Sequence, residues 1–92
     1  MAMAKKTKRP TKKTPRKNMA RCQKAAAKML REARLALDLN QEDVAQRLKH
    51  HHSWLVDIES GRRCVRLCEF LVLAKALGIE PAVAGRELAA LV

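Results

Sequence analysis

Ninety-two residues leave room for one small domain and little room for an enzyme cleft. The net charge of +11 is unevenly placed: residues 1 to 31 carry twelve Lys or Arg and no acid, whereas residues 32 to 92 carry eight basic and nine acidic side chains. Residues 32 to 92 are thus nearly neutral, and the charge suited to attracting phosphates lies in the N-terminal segment and the start of the first helix.

Residues 1 to 19 read as a disordered basic arm, because Lys, Arg, Thr and Pro dominate and Ala and Met are its only apolar residues. From Arg21 to Leu37 strong helix formers take over, with Ala26, Met29, Leu30, Ala33 and Leu37 along one face, which predicts helix one. Asp38 and Leu39 form the connection. Asn40 with Asp43 gives an approximate capping box for helix two, expected to run to about Leu48. Helix three is expected from about His52 to Ser60, stopping at Gly61. Leu67, Phe70, Leu71, Ala74 and Leu77 fall at helical spacing before Gly78 and predict helix four. Pro81 after Glu80 opens helix five, with Val83, Leu88, Leu91 and Val92 on its apolar side. The expected fold is therefore all-α: a compact five-helix bundle over residues 20 to 92, preceded by the disordered arm.

No apolar run approaches the roughly eighteen residues of a membrane span, and the N-terminus lacks the apolar segment of a secretory signal. A soluble cytosolic protein is the expectation. A transit peptide also avoids acids, but the Lys- and Pro-rich start lacks the Arg and Ser pattern of such peptides. Cys22, Cys64 and Cys68 are odd in number and irregularly spaced, so they read as reduced thiols. Cys64 and Cys68 with His50, His51 and His52 suggest zinc, but consecutive histidines on a helix point about 100° apart and cannot share one metal. Neither a metal nor a cofactor is expected.

The stretch from Gln41 to Ser60 carries the function. Val44, Ala45 and Leu48 recur at three- and four-residue spacing, Leu55 and Ile58 do so after them, and polar Lys49 to His52 separates the two sets. Two short amphipathic helices meeting at a tight corner suggest a helix-turn-helix over residues 41 to 60. The run Leu39 to Ala45 with Leu48, then Ser53, Leu55, Ile58, Glu59, Gly61, Arg62 and Arg63, then Phe70, Leu71, Ala74 and Ala76 to Ile79 resembles the Xre family of Cro and phage-repressor DNA-binding domains. The likeness covers about residues 28 to 84 and rests on several features in order. It implies five helices around one core.

If helix three enters a major groove, its outward residues are His52, Ser53, Val56 and Asp57. His52 and Ser53 can donate or accept at base edges, Val56 can pack on a thymine methyl, and Asp57 can accept from a cytosine amino group. The alternative is that they are ordinary solvent-facing residues of a helix. Gln41 matches the family's Gln at the start of helix two, which implies a phosphate contact. Lys49, Arg62, Arg63 and Arg66 around the corner and the following loop, and Lys12, Lys13, Arg16 and Lys17 in the arm, are further candidates for phosphate contacts. Trp54, where the family accepts Thr, Tyr or Phe, reads as a partly buried buttress. Arg34 and Glu59 match a family pair that ties helix one to helix three, which implies a structural ion pair and no catalytic role. The chain departs from the family at Asp57, where a cation is usual, and at Lys49 to His52, which replaces a Gly, apolar, Ser or Pro, Gln run.

The resemblance implies a transcriptional regulator of double-stranded DNA, dimeric on two half-sites one helical turn apart, in the cytoplasm and nucleoid of a bacterium or encoded by a phage. Phage Cro-like regulators and DNA-binding antitoxins, with a toxin as protein partner, both fit. From a different class comes a protein-interaction module on the same fold, binding DNA or RNA non-specifically through the arm. An enzyme is not expected, because no Ser/His/Asp set, carboxylate pair or phosphate loop has a supporting context.

Overall fold

A computed structural model describes residues 16–92 of the chain. They form α1 (Arg16–Ala36), α2 (Gln41–Arg47), α3 (His52–Ser60), α4 (Leu67–Ala76) and α5 (Pro81–Ala89), with no strand among the described residues. Lys12 and Lys13 lie outside the described residues. Helix α1 begins at Arg16, ahead of the Arg21 expected from composition. Arg16, Lys17 and Met19 therefore stand on a helix and not in an arm. Once a helix is nucleated, Arg, Lys, Met and Ala extend it at little cost, so the shift in composition near residue 20 does not mark its start.

Three helices end in the same way. After α1, the Asp38 N–H donates to the Leu35 carbonyl at 2.9 Å and the Leu39 N–H to that of Arg34 at 3.3 Å. After α2, the Lys49 N–H donates to the Gln46 carbonyl at 3.0 Å and the His50 N–H to that of Ala45 at 2.9 Å. After α4, Gly78 and Ile79 repeat the pattern on Lys75 and Ala74. This is the Schellman ending, in which a left-handed residue folds the chain back onto the last free carbonyls. Gly78 supplies that conformation at φ 78°, but Asp38 and Lys49 adopt it at φ 58° despite their side chains.

The core is built from Leu30 of α1, Val44 and Ala45 of α2, Leu55 and Ile58 of α3, Phe70, Leu73 and Ala74 of α4, and Ala84 of α5. Ala26, also buried, adds no bulk to α1 and lets it approach its neighbours closely. Several expected apolar faces are turned. Leu37 is 49% exposed because α1 ends at Ala36 and the reversal at Asp38 carries it outward. In α4, Leu73 is fully buried while Leu67 and Leu71 face out. That helix, LCEFLVLAKA, is apolar nearly all round, so spacing alone does not select its inner side. In α5 the contact runs through Ala84 with Leu88 beside it and Val83 is exposed, while Leu91 and Val92, expected on this helix, lie beyond its end at Ala89. A small residue permits the close approach that a valine would block.

Candidate nucleic-acid interface

The corner starts from a well-capped α2. Asn40 accepts from the Asp43 N–H at 2.8 Å, and the Asp43 carboxylate accepts from the Asn40 N–H at 3.4 Å. This reciprocal pair satisfies two N–H groups that a helix start leaves free. The left-handed Lys49 then reverses the chain within four residues, Leu48 to His51, and α3 starts at His52. His51 gives α3 no side-chain cap, so its first-turn N–H groups are not engaged by that side chain.

Leu55 and Ile58 anchor α3 to the core and thereby set its outer face. His52 and Ser53 are exposed, and Val56 and Asp57 are half-buried. Asp57 does not stand free: Arg62 folds back and donates to its carboxylate at 3.0 Å. The two charges offset one another at the edge of the face, and an exposed pair of this kind contributes only about 0–1 kcal/mol.

A second network fixes the orientation of α3. Arg34 donates through Nε and Nη2 to both oxygens of Glu59 at 2.7 and 2.9 Å, and through Nη1 to the Leu39 carbonyl at 2.8 Å. Gln41 donates through Nε2 to the same carboxylate at 3.0 Å. The Glu59 side chain is only 3% exposed, so it needs these donors. One N–H of the Gln41 amide is thus committed internally.

Behind the corner, the His50 ring lies on Trp54 with centroids 3.7 Å apart and planes at 9°. The Trp54 indole donates to Glu69 at 3.4 Å, as Arg63 does at 3.0 Å and the Arg66 N–H at 3.1 Å. Partial desolvation raises the pKa of the Glu69 carboxyl, but the Arg66, Arg63 and Trp54 donors and the Arg63 charge together outweigh it and hold the group below its ordinary value. Spacing on α3 alone gave no sign of this organising role. The signal lay on α4, where Glu69 sits three residues after Arg66 at the helix start.

Of the basic residues expected on this side, Arg62 and Arg63 are paired with acids, whereas Lys49 and Arg66 present exposed side chains. Arg16 and Lys17 stand at the far end of α1. Among the described residues, no three His, Cys, Asp or Glu side chains gather as a metal site requires, and no helix is long and apolar enough to cross a membrane. A family model described as a helix-turn-helix domain matches residues 25–91. No curated protein and no solved structure gave a significant match.

Proposed function

The chain belongs to the helix-turn-helix domain family, and from that premise we propose that it is a sequence-specific, DNA-binding transcriptional regulator of the Xre type. In this proposal α3 lies in the major groove. His52 and Ser53 read base edges, Val56 meets a thymine methyl, and Asp57 accepts from a cytosine amino group. Gln41, Lys49, Arg62, Arg63 and Arg66 hold the flanking phosphates, with Arg62 exchanging Asp57 for the backbone, and Lys12, Lys13, Arg16 and Lys17 add non-specific attraction.

The observation that carries the proposal is the pinning of α3. Its inner side is locked by Leu55, Ile58 and the Arg34–Glu59–Gln41 network, which leaves His52 and Ser53 outward on a rigid element. A homodimer on two half-sites is part of the proposal, and the apolar groove of about 430 Å³ between α1, α4 and α5 offers a seat for the second copy. The same groove, with Met19, Leu71 and Val92 exposed beside it, favours a second reading as an antitoxin-like or protein-interaction module.

Selection of sites from a random duplex pool with the full chain, at near-physiological salt, separates the two. Enrichment of a half-site or palindrome supports base reading, and a His52→Ala, Ser53→Ala variant should then lose it. An unenriched pool with retained polyanion binding removes the regulator proposal and leaves the second reading.

A further inference from the structure

Lys17, Arg21, Lys24, Lys28 and Arg31 follow one another along α1 in steps of four and three residues, and all five are exposed. A helix turns by about 100° per residue, so these steps keep the five side chains on one narrow face. Ala26, Leu30 and Ala33, which pack toward the core, fall on the opposite side of the same helix. At about 1.5 Å per residue the row runs for roughly 21 Å.

Very little offsets this charge locally. Glu32 is the single acid of α1, and it reaches only Lys28, at 3.9 Å with both side chains largely exposed. Like charges three and four residues apart destabilise a helix, and a face that serves only for solubility usually mixes both signs.

We propose that this row is a second nucleic-acid contact, which seats the phosphate backbone of a duplex segment other than the one met by α3. Its placement separates the two segments. Helix α1 meets α3 through its other side, where Gln23 donates to the Gly61 carbonyl at 2.8 Å and Arg34 binds Glu59. A duplex fits because it offers a regular line of phosphates over the length of the row. An anionic membrane fits less well, since an interfacial helix inserts an apolar face and that of α1 is already in the core. The inference rests on the proposed contact of α3 with DNA, although base reading by α3 is not required.

The test mixes the full-length protein with a biotinylated duplex and a fluorescent duplex of unrelated sequence, and measures co-capture on streptavidin together with the salt dependence of binding. The wild type should co-capture. The R21Q/K24Q/K28Q/R31Q variant should lose co-capture, and its log-affinity against log-salt slope should be shallower by about three to four units. The swapped set R21K/K24R/K28R/R31K should behave as wild type. Circular dichroism verifies helix content, and if the fourfold variant is unfolded, K24Q/K28Q should still show about half the change in slope. Binding to vesicles containing anionic lipid is measured alongside, and unchanged co-capture and slope overturn the proposal, as does a variant that loses vesicle binding while its duplex binding stays as in the wild type. Site enrichment from the random pool should survive in the fourfold variant, which distinguishes failure of this surface from failure of α3.

Discussion

The Arg34 guanidinium lies two-pronged on the Glu59 carboxylate at 2.7 and 2.9 Å, and both side chains are almost wholly shielded from water. Glu59→Gln or Arg34→Met leaves one partner buried without its counter-charge. Each should destabilise the domain by about 3–5 kcal/mol, enough to unfold much of a domain this small. Urea unfolding followed by circular dichroism checks this. The double variant R34M/E59L should recover most of the loss, because two apolar side chains leave no orphaned charge.

Lys49 holds the left-handed conformation at φ 58° in the middle of the corner. A side chain there is strained by about 1–2 kcal/mol, and glycine removes the strain while adding freedom to the unfolded chain. Lys49→Gly should therefore raise stability by up to about 1 kcal/mol, and Lys49→Val should lower it. In the same Lys49→Gly protein, the salt slope of DNA binding should fall by about one unit if Lys49 meets a phosphate. A rise in the urea midpoint with no change in slope would leave the residue with a backbone role alone.

Asp57 and Arg62 neutralise each other beside the outer face of α3. Asp57→Asn removes a negative charge from that face and frees the guanidinium. Non-specific DNA affinity should rise and the salt slope should steepen by about one unit, while stability changes by less than about 1 kcal/mol. Fluorescence anisotropy over a salt series measures the first two. An affinity that stays constant would place this edge away from the duplex.

Glu69 is held below its ordinary pKa, and the direction fixes its effect on stability. A carboxyl with a depressed folded-state pKa binds protons less readily than in the unfolded chain. Its stabilisation is complete above the ordinary carboxylate range and is lost as pH falls through the lowered value. Thermal melts from neutral to acid pH should show this loss, and Glu69→Gln should flatten that part of the acid limb while lowering stability at neutral pH.

Much of this architecture is legible in the chain because local rules and tertiary packing agree. Asn40 and Asp43 announce the start of α2, Gly61 and Gly78 mark two helix ends, and Leu55 with Ile58 orients α3. The harder parts are those where chemistry is shared between distant residues. Leu73 is hidden among apolar neighbours, and Asp38 and Lys49 take a conformation that glycine usually signals. The family likeness gives Gln41 a phosphate to meet and says nothing of Glu59, far along the chain, which takes its donor. Arg62 and Arg63 read as free cations because their acids, Asp57 and Glu69, come near only once the loop folds.

The ring stack behind the corner has an optical consequence. Trp54 is the chain's single tryptophan, and the sequence contains no tyrosine. All long-wavelength ultraviolet emission therefore originates from one indole, lying 3.7 Å from His50 and hydrogen-bonded to Glu69. The protein carries an intrinsic fluorophore at the pivot between α2 and α3, and its intensity follows the state of that pivot without any attached label.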